Sequence, residues 1–367
     1  MPIFEKPKGL AKRIQHDFLE SGRFVPGSKL PTVAQLATKY KVSSTTIRKA
    51  AEELVDNGCL STRRGSGMYI EALPRVQIGY VAVDLHSPLP SNILNGINRV
   101  AKSRGCDLVV SGSTSSAQEE RSHISTMINQ GVKGVVVYCV NAVGRDSRDD
   151  YLAKEFRDFP IVVVDIYSPV MRRPHVIMDN EYAGYDMAQY LLGQNRRKIA
   201  FLKFDKIFSR ATQDRLTGYK KALEEANLPL NPDYLVNCDS LNSIADIQEM
   251  LKNLVYVQPR PDAIIALMDE MVPLAIKSLR NLGLSVPEDI VVAGFDNLHN
   301  NFTNDIWPTT KSDFTLMGER AAEMLLERIA SGDLTPSGIV LPCSMLPPEQ
   351  QRTCDVKMRF GPKCLVL

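Results

Sequence analysis

Residues 30–70, LPTVAQLATKYKVSSTTIRKAAEELVDNGCLSTRRGSGMYI, decide the fold of the amino-terminal part of this chain. Apolar residues at helical spacing predict one helix near 33–40 and a second between Ser43 and Gly58. Short apolar segments on both sides of the basic turn 63–66 then predict a two-stranded hairpin. Two helices joined by a tight turn and followed by a basic hairpin are typical of a winged helix-turn-helix, a module that binds duplex DNA.

The outer face of the second helix is short, polar and basic. Hydroxyl and cationic side chains at a helix N-terminus suit contacts to phosphates and base edges in a major groove, and a glycine-tipped basic hairpin is narrow enough to approach a minor groove. Such a cluster alone is usually solvated surface, but here it occurs within the order of elements just described. The candidate DNA-binding residues are Thr32, Ser43, Ser44, Thr45, Thr46, Arg48, Lys49, Arg63, Arg64 and Gly65.

The same segment resembles the winged-helix domain of the GntR family of bacterial transcription regulators. The resemblance rests on Leu30-Pro31, Val42-Ser43, Thr46-Ile47-Arg48-Lys49-Ala50, Asn57-Gly58 and Gly65-Ser66-Gly67. It implies binding to double-stranded DNA, with most contacts made by Thr45, Thr46, Arg48, Arg63 and Arg64. The chain departs from the family at Val33-Ala34, where the family carries a Glu-Arg pair, and at Ser44, where it carries an arginine. These departures concern the operator sequence and not DNA binding itself.

The composition of the chain is that of an ordinary globular protein. Of its 367 residues, 44% are hydrophobic and 23% are charged. The sequence contains no apolar run of about 18 residues and no apolar core of a signal peptide, so neither a membrane span nor export is predicted, and the expected location is the cytoplasm. The seven cysteines are scattered without a CxxC pair, which predicts neither a zinc site nor a disulfide framework.

Charge is distributed unevenly along the chain. The first 75 residues contain 13 Lys/Arg and 7 Asp/Glu, which gives this segment a net charge of +6. The net charge of the whole chain is only +2, so the remainder is mildly acidic. A basic segment joined to a mildly acidic remainder is the electrostatic outline of a DNA-binding module attached to a part that does not bind DNA. Chance variation over so short a segment explains the charges equally well when they are considered alone.

Beyond residue 76 the sequence alternates between short apolar segments and amphipathic segments. Segments rich in Val and Ile, such as 76–83 and 161–166, have the length of strands, and helical patterns such as 93–104 and 182–192 lie between them. Near-continuous apolar strands that alternate with helices predict an α/β fold with parallel sheet covered on both faces. About seven such strands are too many for one small sheet, so two lobes are expected.

These patterns predict the following units. They are a winged helix-turn-helix at 1–72, a linker at 73–76, a two-lobed α/β body at 77–342 and a tail at 343–367 that is left unassigned. The lobes of the body are expected at about 77–165 together with 310–342, and at about 166–309.

Acidic residues follow the ends of several predicted strands. Ligands of parallel sheets bind beyond the carboxyl ends of the strands, and carboxylates together with an arginine are suited to the hydroxyls of a sugar. Asp84, Asp165, Asp269 and Asp296 occupy this position, and Arg215 lies near a predicted helix start. Each Asp alone is explained about equally well as a helix cap, but four in equivalent positions favour a shared cleft.

The sequence lacks the signatures of an enzyme. It contains no G-x-G-x-x-G after the first strand of the body, no P-loop and no G-x-S-x-G. The five histidines lie far apart and lack the spacing of metal ligands. The sequence therefore predicts no catalytic residue, no metal site and no cofactor.

The body resembles the effector-binding domain of the LacI/GalR repressor family, which shares its fold with periplasmic sugar-binding proteins. The resemblance rests on Val164-Asp165, Asp179-Asn180, Arg215-Leu216-Thr217-Gly218-Tyr219, Gly294-Phe295-Asp296-Asn297 and Pro308-Thr309-Thr310. It implies that a small sugar, such as a pentose, binds between the two lobes. By position, Asp165, Arg215 and Asp296 match the residues of the family that contact the sugar.

Two further positions bear on the predicted sugar site. Asp269 matches the Asp of the family's Asn-Asp pair, but Met268 replaces the Asn and adds apolar surface. Trp307 is expected either to stack on a sugar face or to pack in the interior, and the sequence favours neither. The candidate effector-binding residues are Asp84, Asp165, Arg215, Met268, Asp269, Asp296 and Trp307.

A GntR-like segment joined to a LacI-like body resembles the arabinose-repressor type of bacterial regulator. The resemblance implies a homodimer that binds a DNA operator and a sugar. Entry of the sugar is expected to close the lobes and to weaken simultaneous binding to two DNA half-sites. A dimer surface is expected near 93–100 and 124–128, although these apolar positions fit sheet-facing core equally well. Two other functions stay open: a sugar-binding protein without a DNA role, and an α/β enzyme acting on a sugar or nucleotide.

Overall fold

The computed structural model describes residues 7–20, 25–71, 75–112, 116–139, 151–167, 172–203, 210–238, 244–298 and 305–351. The chain divides into two compact units, Met1–Val76 and Gln77–Leu367, which we call the head and the body. Each unit has a hydrophobic core of its own. No helix in the described ranges has both the length and the apolar character needed to cross a lipid bilayer.

The head is a winged helix-turn-helix, as the sequence predicts. Its elements are α1 (Pro7–Gln15), which continues as a π-helical turn (His16–Glu20), α2 (Val33–Tyr40), α3 (Ser44–Asp56), β1 (Leu60–Arg63) and β2 (Gly67–Ile70). The two strands are antiparallel, with Leu60 opposite Ile70. Ile14, Leu36 and Ile47 are fully buried between the helices, so the apolar periodicity of the sequence corresponds to the packed face.

The body alternates strands and helices, as expected for an α/β fold. Its elements are, in chain order, β3 (Gln77–Ala82), α4 (Pro88–Ser103), β4 (Asp107–Gly112), α5 (Ala117–Asn129), β5 (Val135–Tyr138), α6 (Tyr151–Lys154), β6 (Ile161–Val164), β7 (His175–Met178), α7 (Asn180–Gly193), β8 (Ile199–Lys203), α8 (Arg210–Glu225), β9 (Leu235–Asn237), α9 (Ile244–Tyr256), β10 (Ala263–Ile265), α10 (Val272–Asn281), β11 (Val291–Ala293), β12 (Thr309–Lys311), α11 (Phe314–Ser331), β13 (Gly338–Leu341) and β14 (Ser344–Leu346). They form two parallel sheets and a short antiparallel pair.

The first lobe is built on a six-stranded parallel sheet with the strand order β13-β7-β6-β5-β3-β4. Helices α4 and α11 cover one face, and α5 covers the other. Val136 of β5 belongs to the core that contains Ile93, whereas Val135 and Val137 belong to the core that contains Ile124. A strand that is buried on both faces needs apolar side chains in both directions, which explains the continuous apolar segments of the sequence.

The second lobe contains a four-stranded parallel sheet with the strand order β11-β10-β8-β9. Helices α7 and α8 pack on one face, and α9 and α10 pack on the other. Ile265 of β10 shares a core with Tyr219 of α8, whereas Ile264 shares a core with Leu251 of α9. Both sheets are therefore covered on both faces, as the sequence predicts for the body.

Two parts of the body differ from the predicted boundaries. The sequence places the second lobe from about 166, but β7 pairs with β6 and β13, so the first sheet extends to Met178. The four residues of β7 are too few to show this long-range pairing. The sequence leaves the tail unassigned, and in the structure β14, at the start of the tail, pairs with β12. Residues 73–74 of the predicted linker and 352–367 of the tail lie outside the described residues.

Within the described part of the chain, three segments run between the lobes and lie side by side. The strand β7 leads into α7, β12 leads into α11, and β13 leads into β14. The Asp179 N–H donates to the Leu341 carbonyl at 2.8 Å, and the Met345 N–H donates to the Asp186 carboxylate at 2.9 Å. Hydrogen bonds therefore join these crossing segments to one another and to α7.

Candidate functional site

The N-termini of α2 and α3 are fixed by their cap residues. Thr32 Oγ1 accepts a hydrogen bond from the Gln35 N–H at 3.3 Å, and Gln35 Oε1 accepts one from the Thr32 N–H at 2.9 Å. Ser43 Oγ accepts from the Thr46 N–H at 3.1 Å and lies 2.8 Å from Thr46 Oγ1. Among the predicted DNA-binding residues, Thr32, Ser43 and Thr46 therefore set the positions of the two helices.

The other candidates on α3 face solvent. Ser44, Thr45, Arg48 and Lys49 are exposed, whereas Ile47 between them is fully buried in the core of the head. Because Ile47 packs into the core, the opposite face of α3, which the sequence assigns to DNA binding, is turned toward solvent. Hydroxyls at the start of the helix followed by two cations are able to donate hydrogen bonds to phosphates and base edges.

The β1–β2 hairpin, or wing, presents its two arginines differently. Gly65 and Gly67 have φ values of +75° and +114°, a region that glycine adopts without steric cost, and they form the tight turn. The Arg63 guanidinium lies over the ring of Tyr69, 4.2 Å from its centroid. Arg64 is exposed at the turn. The wing therefore carries one cation that is oriented by an aromatic ring and one that is surrounded by solvent.

A groove of about 700 Å³ lies between α3 and the wing within the head. Arg48 lines it from the helix, and Arg63 and Arg64 line it from the wing. Glu52 and Asp56 of α3 also reach the groove. Three arginines, one on α3 and two on the wing, thus border one groove, a distribution suited to the phosphates of a duplex.

The body contains a cavity of about 340 Å³ at the carboxyl ends of both parallel sheets. Ligands of α/β proteins bind at this edge, where strand ends and helix N-termini converge. Five of the seven candidate effector-binding residues line the cavity, namely Asp84, Asp165, Arg215, Met268 and Asp296. The structure therefore brings together residues from both lobes that are up to 212 positions apart in the sequence.

Arg215 lines the cavity and donates hydrogen bonds from all three nitrogen atoms of its guanidinium group. Its Nε donates to Asn180 Oδ1 at 2.8 Å, its Nη1 to the Leu267 carbonyl at 2.8 Å and its Nη2 to Asp296 Oδ1 at 2.6 Å. Its guanidinium carbon lies 4.4 Å from the centroid of the Phe295 ring. Since Arg215 is only 8% exposed, it is a buried and oriented cation that holds Asp296 in place.

Close packing of α7 against α8 places Arg215 beside Asn180. A Cβ atom on Gly184 would lie 2.0 Å from the Arg215 carbonyl oxygen, and one on Gly218 would lie 1.9 Å from the Glu181 carbonyl oxygen. Both distances are well inside van der Waals contact, so a larger side chain would force the helices apart. The two glycines allow the helix that carries Arg215 to approach the helix that carries Asn180.

Asp165 contributes a carboxylate that receives no hydrogen bond from the residues that the structure describes. Its backbone is left-handed, with a φ of +59°, and its N–H donates to the Val176 carbonyl at 3.0 Å. Burial and the charge of Asp296 raise the pKa of this carboxyl to about 7, although Arg215 acts in the opposite direction. A ligand that donates hydrogen bonds would satisfy this carboxylate.

Two titratable residues outside the candidate set also line the cavity, namely Tyr138 and Glu270. Burial, followed by the charge of Asp165, raises the pKa of the Tyr138 hydroxyl well above its usual value. Burial also raises the pKa of Glu270, and the charge of Asp296 adds to this effect. The sequence does contain a signal for each, since Tyr138 ends an apolar strand and Glu270 adjoins Asp269.

Asp84 and Met268 are the exposed members of the predicted set. Asp84 accepts hydrogen bonds from the Ser87 hydroxyl and the His86 N–H, and these bonds lower the pKa of its carboxyl. Its oxygens therefore hold the turn before α4 as well as lining the cavity. Met268 is 37% exposed and adds apolar surface to the lining.

Asp269 and Trp307 are candidate effector-binding residues that do not line the cavity. Asp269 is 1% exposed, and its carboxylate accepts hydrogen bonds from Trp307 Nε1 at 2.8 Å and from the Leu298 N–H at 3.1 Å. Burial raises the pKa of Asp269 to about 7, although the hydrogen bonds from Trp307 and Thr309 oppose this. Trp307 is 2% exposed in the core of the second lobe, so it packs in the interior.

The apolar residues expected at a dimer surface belong to the core of the first lobe. Ile93, Ile97 and Ile124 are fully buried, and Val100 is 7% exposed. They follow the alternative that the sequence left open, sheet-facing core, because α4 and α5 cover the two faces of the six-stranded sheet. These side chains therefore do not form a dimer surface.

A winged helix-turn-helix followed by a two-lobed body with a polar cavity defines a DNA-binding regulator that responds to a small molecule. Residues 75–348 match the family described as periplasmic binding proteins and sugar binding domain of LacI family, and the chain belongs to this family. Residues 8–70 match the bacterial regulatory proteins of the gntR family. The combination of the two types that the sequence predicts is therefore confirmed.

Individual relatives agree with this assignment. The arabinose metabolism transcriptional repressor of Geobacillus stearothermophilus is 26% identical over 92% of this chain and 96% of its own length. The transcriptional repressor PurR of Mannheimia succiniciproducens is 30% identical over 70% of this chain and 75% of its own. The solved complex of the transcriptional regulator CelR with cellobiose has a TM-score of 0.65 at 22% identity, covering 88% of this chain and 100% of that one.

These findings establish the function at the level of the family. The relatives are transcriptional repressors, so the chain is a DNA-binding transcription regulator and not an enzyme. Its partners are a DNA operator, contacted by the head, and a small-molecule effector, bound by the body.

Proposed function

We propose that the protein is a cytoplasmic, sugar-responsive repressor that acts as a homodimer. The observation that carries this proposal is the composition of the cavity: the Arg215–Asp296 pair is buried and oriented, and Asp165 offers a second carboxylate that no described residue satisfies. Sugar hydroxyls donate hydrogen bonds to carboxylates, and an arginine beside one carboxylate fixes the direction of its remaining lone pairs. The Arg215–Asp296 pair and the Asp165 carboxylate are therefore suited to bind hydroxyls on two sides of one polyol.

The size and lining of the cavity suit a monosaccharide. Its volume of about 340 Å³ lies near the lower end of the range of roughly 300–1,000 Å³ for small-molecule sites. Leu89, Met268 and Leu298 supply apolar surface for the C–H groups of a sugar ring. One relative is named for arabinose metabolism and one related structure contains cellobiose, so L-arabinose is the first ligand to test and cellobiose the second.

The response to the sugar follows from the two-lobed construction. Asp165 belongs to the first lobe, whereas Arg215 and Asp296 belong to the second, so a ligand that contacts both sets favours the closed arrangement of the lobes. In a homodimer, closure changes the relation between the two bodies. It thereby weakens simultaneous binding to two DNA half-sites, which couples sugar affinity to operator affinity.

The DNA contacts are divided between α3 and the wing. We assign direct contacts to the exposed Ser44, Thr45, Arg48 and Lys49 on the helix. Arg63, Arg64 and Gly65 supply the contacts of the wing. Thr32, Ser43 and Thr46 keep the helix N-termini in position, and their hydroxyls add to the polar surface that meets the phosphate backbone.

Two measurements test this function. The purified chain is heated with L-arabinose, cellobiose and a panel of other pentoses, hexoses and their phosphates. The cognate sugar at 100 times its Kd is expected to stabilise the protein by about 2.7 kcal/mol, and the melting temperature rises accordingly. A gel-shift with genomic fragments then measures DNA binding with and without that sugar, which is expected to release the DNA.

The matched control is Asp165→Asn, which keeps the shape of the side chain but removes the charge. It is expected to bind DNA as the wild type does and to lose the thermal shift with the sugar. DNA binding that no sugar alters, together with an unchanged melting temperature, would contradict the sugar as effector. A sedimentation measurement that shows a monomer both with and without DNA would contradict the dimer.

A further inference from the structure

The carboxylate of Asp269 joins segments that lie far apart along the chain. It accepts hydrogen bonds from Trp307 Nε1 at 2.8 Å, from the Thr309 hydroxyl at 2.8 Å and from the Leu298 N–H at 3.1 Å. The helical turn that Asp269 begins contributes none of these donors, so the side chain is not a helix cap. Its bonds instead connect the end of β10 with the turn after β11 and with β12.

The turn 296–298 presents Asp296 to the cavity in an unusual backbone conformation. Its first two residues have φ values of +87° and +53°, a region that residues other than glycine rarely adopt and that persists only where surrounding contacts hold it. Its three consecutive N–H groups donate, in order, to the Thr310 hydroxyl at 3.2 Å, the Thr309 hydroxyl at 3.2 Å and the Asp269 carboxylate at 3.1 Å.

The Thr309 hydroxyl is the centre of this arrangement. It accepts the N–H of the turn and donates its own proton to Asp269, so one hydroxyl links the turn to the carboxylate. Thr309 and Thr310 are completely buried, and both belong to β12, which runs between the lobes. A Cβ atom on Gly294 would lie 2.2 Å from Asp269 Oδ1, so the chain leading to the turn passes directly against the carboxylate.

We propose that Asp269 is a positioning residue of the effector site. Through Thr309 and the turn 296–298 it holds Asp296 against Arg215, and it ties this cavity carboxylate to the strand that crosses between the lobes. The ligand-binding consequence rests on the proposed function, whereas the consequence for the turn does not. Trp307 is the single tryptophan of the chain and donates to Asp269, so its fluorescence reports on the same carboxylate.

The test compares Thr309→Val with Thr309→Ser. Valine keeps the shape of threonine but removes the hydroxyl, whereas serine keeps the hydroxyl and removes only a methyl group. Asp269→Asn has the same shape as the wild type but replaces one accepting oxygen with a donor. Ile276→Val, in the core of the same lobe, is the matched control for lost packing, since Ile276 is 3% exposed and makes none of these hydrogen bonds.

The first readout needs no ligand. Hydrogen exchange of the full-length protein is followed at the amides of 296–298, and the emission of Trp307 is recorded. Exchange is expected to be about tenfold faster in Thr309→Val and Asp269→Asn, because a buried N–H loses its acceptor. Thr309→Ser and Ile276→Val are expected to keep the wild-type exchange in this turn. The emission of Trp307 is expected to shift in Asp269→Asn.

The second readout is the affinity for L-arabinose or, if this sugar has no effect, for the sugar of the panel that raises the melting temperature most. The Kd is expected to increase about tenfold in Thr309→Val and Asp269→Asn and to be restored in Thr309→Ser. If no sugar binds the wild type, the proposed function fails, and the exchange measurement still decides the role of Asp269. Wild-type exchange at 296–298 in both variants, or equally fast exchange in Ile276→Val, overturns the proposal.

Discussion

The effector cavity of the body and the DNA-binding face of the head both depend on arginines, but their surroundings are opposite. Arg215 is 8% exposed and is fixed by Asn180, Leu267 and Asp296. Arg48 is exposed on α3. A buried cation is tolerated only when it is paired and hydrogen-bonded, whereas an exposed cation keeps its hydration until a ligand replaces it.

This contrast shows how each ligand is recognised. A small molecule must be enclosed, so its site is prepared in advance by side chains that also hold the fold together. DNA brings a large charged surface of its own, so cations that stand in water are sufficient. Substitutions in the cavity are therefore expected to change stability and binding together, whereas substitutions on the DNA-binding face are expected to change binding alone.

Arg215→Ala is expected to cause the largest loss of stability. Without the guanidinium, Asp296 is left buried without its ion-pair partner, and Asn180 and the Leu267 carbonyl lose their donor. Breaking a buried pair in this way costs about 3–5 kcal/mol of the free energy of unfolding. Urea unfolding followed by circular dichroism measures the loss. The response of operator binding to the sugar is expected to disappear in the same variant.

Arg210→Ala is the matched control on the same helix. Arg210 pairs with Asp214 at 2.7 Å, but its side chain is 47% exposed. Exposed pairs one helical turn apart contribute about 0.3–0.5 kcal/mol, so the expected change is small. Similar losses in the two variants would show that burial does not separate these arginines and would remove the basis of the contrast.

Gly184→Ala is expected to have the next largest effect. The added methyl group would overlap the Arg215 carbonyl and push α7 away from α8, and overpacking of this kind costs about 1–3 kcal/mol. Gly193→Ala lies at the end of the same helix, where a Cβ atom meets nothing within 4 Å, and is expected to be neutral or slightly stabilising. Melting temperatures of the two variants test the prediction, and equal values would contradict it.

The head and the parallel sheets could be predicted from the sequence because their signals are local. Cap residues such as Ser43 and the spacing of apolar residues depend on a few neighbouring positions, and the structure has α2, α3 and the hairpin where those signals lie. Continuous apolar segments likewise follow from burial on both faces. Arg215 and Asp296 are predicted from their positions at a helix start and a strand end and from their match to motifs of the family, and the structure joins them in one buried pair.

The remaining features depend on contacts between distant parts of the chain. Asp269 and Asp296 both follow strand ends, and nothing local distinguishes them. Only the tertiary structure shows that the oxygens of Asp269 are occupied by Trp307 and Thr309, from a segment about 40 residues away. The pairing of β14 with β12 is of the same kind. Three-residue strands carry too little pattern to reveal their partners.

The stability of Asp165→Asn is expected to depend on pH differently from that of the wild type, because the substitution removes an unpaired charge from the cavity. The carboxyl has a pKa of about 7 in the folded chain, above the ordinary value of 3.8. The folded state therefore binds this proton more tightly than the unfolded state does. The protonated carboxyl increases the free energy of unfolding below pH 3.8, and this contribution is lost as the pH rises to about 7. Asn does not ionise, so the variant is expected to gain stability relative to the wild type between pH 4.5 and pH 8.

Asp84→Asn is expected to change the stability in the opposite direction. Hydrogen bonds from Ser87 and His86 lower the pKa of Asp84, so its contribution to stability is present at neutral pH and is lost as the pH falls. This variant is expected to be slightly less stable than the wild type at pH 8. The midpoint of urea unfolding at pH 4.5 and at pH 8 measures the change in stability of both variants. A wild-type pH profile in Asp165→Asn would show that the carboxylate is satisfied or solvated.

Arg48→Ala is expected to have the smallest effect on stability, within about 0.5 kcal/mol, because the side chain is exposed. Its effect on DNA binding is nevertheless expected to be clear: loss of one phosphate contact reduces the slope of log K against log salt by about one unit. Fluorescence anisotropy with a fragment retained in the gel-shift measures the slope. Arg99→Ala, whose side chain in the body is 69% exposed, is the matched control and should leave it unchanged. An unchanged slope in Arg48→Ala would remove this residue from the DNA-binding face, whereas a loss of stability as large as that of Arg215→Ala would mean that the head, too, uses its arginines to hold the fold.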